Sequence, residues 1–183
     1  MLHMEQKDYK LEIVNVLSKG EAHIREIAKI LSINHMMVVR KIKELLNQNV
    51  VDFNLEGKNQ VYFLKKTVEA RNYFLMAENY NLTNLVLKYP FLREFVLKVQ
   101  NDKRLKLAFV FGSYSKGNEN KNSDVDIYFD SENLDVKKDY SKLDSKFSIK
   151  LGKWDKNNFL IKEIIKNHVL IKGGEIYYEK IFG

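Results

Sequence analysis

The chain has no cysteine among its 183 residues. That excludes disulfides and thiolate metal centres, and it fits a reducing compartment. There is one proline, Pro90, and no Gly/Ser-rich or Pro-rich tract, so no flexible linker marks a domain boundary. No apolar run approaches the roughly 20 residues needed to cross a bilayer. Residues Met1 to Lys7 lack the apolar centre of a signal peptide. These absences predict a soluble, cytoplasmic protein with no membrane partner. The histidines, His3, His23, His35 and His168, are scattered and show neither HxxxH nor HExxH spacing, so none is assigned to a metal. Internal repeats and low-complexity tracts are also missing.

What is present is a chain able to fold. Hydrophobic residues make up 45% of it, enough for a real core and too many for a disordered protein. The net charge is +7. It is spread along the chain: 10 Lys/Arg against 8 Asp/Glu in residues 1–65, 5 against 3 in 66–100, and 16 against 13 in 101–183. A diffuse excess of this kind favours modest attraction to nucleic acid or nucleotide rather than a dedicated basic tail.

The chemistry concentrates between Leu107 and Asp130. Leu107 to Phe111 is an apolar run suited to a strand covered on both faces. Gly112-Ser113 ends it, and a polar segment, Ser115 to Ser123, follows. Asp124 to Phe129 then alternates polar and apolar residues, as a half-buried strand does. Period two places Asp124 and Asp126 on one face and Val125, Ile127 and Phe129 on the other. Two neighbouring carboxylates repel unless a cation lies between them. Hard oxygen ligands of this sort suit Mg²⁺, whose shell is completed by water and phosphate oxygens. Gly112 lets a phosphate approach the main chain, Ser113 adds a hydroxyl donor, and a helix starting near Ser113 would aim its positive end there. Lys116 could neutralise phosphate charge. Ser113 has no obvious His or Asp base nearby, so a hydrolase triad has little support. The competing reading is a buried strand, a loop and a strand whose aspartates are merely solvated.

Phe111-Gly112-Ser113, Lys116-Gly117 and Ser123-Asp124-Val125-Asp126-Ile127 together resemble the signature of nucleotidyltransferases of the DNA polymerase β superfamily, in particular its minimal nucleotidyltransferase group. The resemblance implies a mixed sheet with flanking helices. It implies Asp124 and Asp126 as catalytic and metal ligands, Gly112, Ser113 and Lys116 as nucleotide-phosphate ligands, Mg²⁺ or Mn²⁺ as cofactor, and an NTP as substrate. It also implies a third carboxylate on a later strand. The equivalent strand, Lys146 to Leu151, offers Lys146, Ser148 and Lys150 on its polar face, so Ser148 stands where that acid is expected. Asp144 and Asp155 flank the strand and could reach in only in another register. The alternative is a transcriptional regulator, or an antitoxin-like protein paired with a small helical toxin, whose nucleotidyltransferase domain is catalytically degenerate.

The N-terminal third reads differently. Helices are predicted over residues 8–18, Ala22–Leu31 and His35–Asn47, with Asn34 capping the third. Val51 to Leu55 and Val61 to Leu64 form a hairpin around Glu56-Gly57-Lys58-Asn59. This layout resembles the winged helix-turn-helix of small prokaryotic regulators. It implies a third helix in the major groove of double-stranded DNA, with His35, Met36, Val39 and Arg40 toward bases and Lys43 and Lys58 toward phosphates. The competing reading is a helical protein-contact domain. Residues 67–88 form an amphipathic helical stretch with a break expected near Asn79-Tyr80-Asn81, and could offer a homodimer surface. Pro90 is expected to open a helix over Phe91–Gln100. Asn157–Asn167 is read as a helix burying Phe159, Leu160, Ile164 and Ile165. Val169 to Ile171 and Ile176 to Tyr178 are read as two strands around Gly173-Gly174.

The expected architecture is α+β: a winged helix-turn-helix over 1–66, a helical connector over 67–90, and a nucleotidyltransferase-like domain over 91–183.

Overall fold

The computed structural model describes residues 7–183; the signal-peptide reading of the first six residues lies outside them. The chain is α+β and separates into two compact units. The first ends at Tyr80 and takes in Phe182; the second begins at Asn81.

In the first unit, helix α1 (Tyr9–Leu17) is capped by Asp8, whose Oδ1 accepts from the Lys10 and Leu11 amides at 3.0 and 3.3 Å. Strand β1 is Ala22–His23, and α2 is Ile24–Leu31. The second helix therefore starts two residues later than the sequence suggested. Ala22 and His23 instead pair with Tyr62 and Val61 of the wing, and the backbone is still extended at His23. Ser32, left-handed at φ 54°, turns the chain into α3 (His35–Asn47). Asn34 caps α3 as expected, accepting from the Met36 amide at 2.7 Å. Strands β2 (Val51–Glu56) and β3 (Asn59–Leu64) form the wing, in the antiparallel order β1-β3-β2. Gly57 has φ 62° while Lys58 does not share that sign, the pattern of a two-residue turn that matches strand twist. Ile13, Val14, Ile27, Val38, Ile42, Leu45 and Val50 fill the core, each contributing about 2 kcal/mol through burial.

Helix α4 runs unbroken from Val68 to Lys88. The break expected at Asn79-Tyr80-Asn81 does not occur. None of these residues is glycine or proline, and their propensity cost is only a few tenths of a kcal/mol each, ~0.5. The division between the units falls inside this helix. Ala70 and Ala77 join the first core, and Leu82 and Leu85 join the second.

In the second unit, Pro90 opens a 3₁₀ turn (Pro90–Leu92) that leads into α5 (Arg93–Asn101). There follow β4 (Ala108–Phe111), α6 (Gly112–Lys116), β5 (Val125–Asp130), α7 (Leu134–Ser141), β6 (Phe147–Gly152), α8 (Phe159–Lys166), β7 (Val169–Lys172) and α9 (Gly174–Phe182). The sheet order is β6-β5-β4-β7, with β5 and β6 parallel and the other pairs antiparallel. Thus β5 is an interior strand rather than a half-buried one. Val125, Ile127 and Phe129 enter a core with Val96, Val99 and Val110, while Tyr128, on the aspartate face, is also buried.

Ile176 to Tyr178 is helical, not a strand. Gly173, at φ 92°, turns the chain, and Tyr177 then packs edge-on against Phe109 and His168 at 5.0 and 4.9 Å. A helix is what covers Phe109 on that face. In α8 the buried residues are Ile161 and Ile164, while Phe159 is 89% exposed, so its apolar stripe is rotated from the one read in the sequence.

Candidate nucleotide site and nucleic-acid interface

The site is set by one register. Asp126 lies opposite Phe111 of β4 and opposite Ser148 of β6. Gly112 follows Phe111, so the bend sits beside the carboxylate. A Cβ at Gly112 would collide with Asp126 Oδ2 and lie 3.2 Å from its Cγ. Gly112 also has φ 72°, a conformation that a side chain disfavours. Asp124 is one residue outside β5 and exposed; Asp126 is half-buried. Ser113 is half-buried on α6. Helix α6 has only five residues, so its contribution to anion binding is a few amides rather than a full dipole.

The loop that returns the chain from α6 to Asp124 is braced. Ser115 Oγ donates to the Gly112 carbonyl at 2.9 Å, and the Asn118 amide donates to the Ser113 carbonyl at 3.2 Å. Ser123 Oγ accepts from the Asn120 amide at 2.9 Å, and Glu119 pairs with Lys88 at 3.5 Å.

Burial raises the Asp126 carboxyl pKa. The Ser148 hydroxyl bonded to it and the charge of Lys150 oppose the rise; Asp124 and Glu163 add to it. A carboxylate short of compensating charge is suited to a cation. Among the described residues, no group of three or more His, Asp or Glu is placed to hold a metal. Asp124 and Asp126 are two hard oxygen donors near the Gly112 bend, of the kind Mg²⁺ takes together with water and phosphate oxygens.

Ser148 does occupy the strand position facing Asp126. The flanking acids are engaged elsewhere: Asp144 Oδ1 accepts from the Lys146 amide and Asp155 Oδ1 from the Asn157 amide, both at 2.9 Å. Lys146 lies over the rings of Phe91 and Tyr114, 5.1 and 5.5 Å from their centroids. Lys116 is paired with Glu163 of α8 at 3.1 Å. Sequence reasoning missed Glu163. Nothing in its local pattern signals that α8 brings it back to α6.

In the first unit, His35, Met36, Arg40 and Lys43 are exposed on α3, Val39 is half-buried, and Lys58 is exposed at the wing tip. His35 and Lys58 line one groove of about 580 Å³ with His23, Arg25 and Gln60, while Met36, Val39, Arg40 and Lys43 lie outside it. Arg25, at the start of α2, is a cation that the linear reading did not single out. No described helix is long and apolar enough to cross a membrane.

Comparisons with known proteins divide along the same line. Residues 96–176 match the family Polymerase beta, Nucleotidyltransferase. No curated protein matches the chain. Solved structures similar to it include the adhesin competence repressor AdcR from Streptococcus pyogenes, at 19% identity over 52% of this chain and 72% of that one, TM-score 0.41. The transcriptional repressor BigR from Xylella fastidiosa is 16% identical over 48% and 78%, TM-score 0.35. A homodimeric winged helix-turn-helix DNA-binding domain from Mycobacterium bovis is 24% identical over 38% and 65%, TM-score 0.35. Likenesses at this level carry no argument, and the winged-helix assignment rests on the element order and strand pairing of the first unit itself. The match to the Polymerase beta, Nucleotidyltransferase family thus takes in the sheet and the Gly112–Asp126 bend of the second unit.

Proposed function

We propose that the second unit binds an NTP with Mg²⁺ or Mn²⁺ and transfers its NMP to an acceptor hydroxyl. The observation that carries this is the Asp126 carboxylate lying against the Gly112 bend. Asp124 and Asp126 would hold the metal, which supplies charge neutralisation and orientation of the triphosphate. Gly112 lets a phosphate reach the main chain, Ser113 donates its hydroxyl, and Lys116 balances charge. The acceptor oxygen would bond to the α-phosphorus and give its proton to solvent water, while the bond from that phosphorus to the bridging oxygen breaks and pyrophosphate leaves. Incubation with α-labelled NTPs and Mn²⁺ tests this: label transfer that Asp126→Asn abolishes is expected. Absence of both NTP binding and label transfer would reject it.

Ser148 at the place of a third acid favours a second reading, in which the domain binds nucleotide without transferring it. NTP binding without label transfer would select that reading.

For the first unit we propose binding to double-stranded DNA through α3 and the wing, in the cytoplasm and as a homodimer. Lys58 of the wing and His35 of α3, which line one groove, support it. Electrophoretic mobility shifts with genomic fragments would show salt-sensitive complexes; unchanged affinity in Arg40→Ala/Lys43→Ala would remove its basis.

A further inference from the structure

Lys116 is the cation that shares α6 with Gly112 and Ser113. Its ammonium is engaged by Glu163, the single acid of α8, at 3.1 Å. The contact is not accidental in its placement. Ser115 Oγ, whose proton goes to the Gly112 carbonyl at 2.9 Å, also lies 3.4 Å from the carbonyl of Asn167, just past the end of α8, so two successive residues of α6 lie against this one segment. Both partners retain solvent access, Lys116 at 35% and Glu163 at 48% of the side chain. The pair can therefore open without exposing buried surface, and both groups remain accessible to a ligand.

We propose that Lys116–Glu163 is a latch on the phosphate site, in which a polyphosphate and the Glu163 carboxylate compete for the same ammonium. The proposal rests on the nucleotide-site reading and deepens it by naming how that site is regulated. A triphosphate offers several anionic oxygens where Glu163 offers one carboxylate, so phosphate wins the exchange at sufficient concentration. Exposed pairs of this kind are weak. The latch therefore sets a threshold of a few fold in ligand concentration rather than an absolute block.

The test is calorimetric titration of inorganic tripolyphosphate into the full chain, without metal, at low salt. Glu163→Gln is expected to tighten binding about threefold, a change of the size that loss of an exposed pair gives. Lys116→Met is expected to weaken binding, and the double variant to match Lys116→Met alone. Raising the salt should shrink the gain from Glu163→Gln. Three results would overturn the latch: unchanged or weaker binding in Glu163→Gln, the same gain in the Lys116→Met background, or no tripolyphosphate binding by any of the four proteins. The parent reading is judged separately, by Mn²⁺-dependent NTP binding through Asp124 and Asp126, so the two can fail independently.

Discussion

Gly112 is constrained twice, by a φ of 72° and by the Asp126 carboxylate where a Cβ would go. Gly112→Ala should therefore cost about 2 kcal/mol, the sum of strained backbone and a displaced carboxylate, and urea denaturation reads it. Asp126 carries the opposite signature. Burial, helped by Asp124 and Glu163, raises its pKa despite the Ser148 hydroxyl and Lys150. An acid whose folded pKa lies above its unfolded value costs stability while ionised; that cost is present above the folded pKa and vanishes below the unfolded one. Asp126→Asn should then raise the melting temperature at pH 7 by roughly 2 °C while removing stabilisation by Mn²⁺. Differential scanning fluorimetry with and without Mn²⁺ measures both. Mn²⁺ affinity of the native protein should also begin to fall at a higher pH than an ordinary aspartate would dictate, because the ligand must be deprotonated.

Between elements, the Asp102–Arg104–Asp139 network joins the end of α5 to α7. Arg104 donates to Asp102 at 2.7 Å and to Asp139 at 2.9 Å, and Tyr140 Oη lies 3.2 Å from Asp102. Chiefly through the Arg104 hydrogen bond, the Asp102 pKa falls to about 2. A depressed folded pKa contributes stability that is complete above the unfolded value and is lost as pH falls through the folded one. Asp102→Asn should thus lower stability at pH 7 by about 1 kcal/mol, discounted for solvent screening. It should also flatten the native protein's acid limb between pH ~4 and ~2; urea titrations across that range check it. This scale also marks where sequence reading stops. The two strands flanking Gly112, the shared face of Asp124 and Asp126, the Asn34 cap and the Gly57 turn were legible, because period, cap and turn chemistry are local; the register that sets Asp126 opposite Phe111 and Ser148 was not. Ile176 to Tyr178 was not, because three β-favouring residues become helical to cover Phe109 on the far side of the sheet. The rotation of Phe159 out of the core and the reach of Glu163 to Lys116 depend on how α8 lies on its neighbours, which no nearby residue encodes.

At the scale of the whole molecule, the chain divides into two compact units, and we propose a different polyanion as the ligand of each. The first unit's role predicts a linear fall of log affinity for duplex DNA with log salt, shallower by about 1 for each phosphate-contacting lysine removed, Lys43→Ala or Lys58→Ala. Fluorescence anisotropy over a salt series measures that slope; an unchanged slope in both variants would place DNA elsewhere. The second unit's role depends on whether two carboxylates and a glycine bend suffice without an acid at Ser148. Isothermal titration of NTPs with Mn²⁺ into the native chain and an Asp124→Asn/Asp126→Asn variant decides this. Our account predicts metal-dependent binding of at least one NTP by the native chain, weakened at least about tenfold in the variant, the loss expected when charged ligands are removed. Binding by neither protein, or equal binding by both, would contradict it.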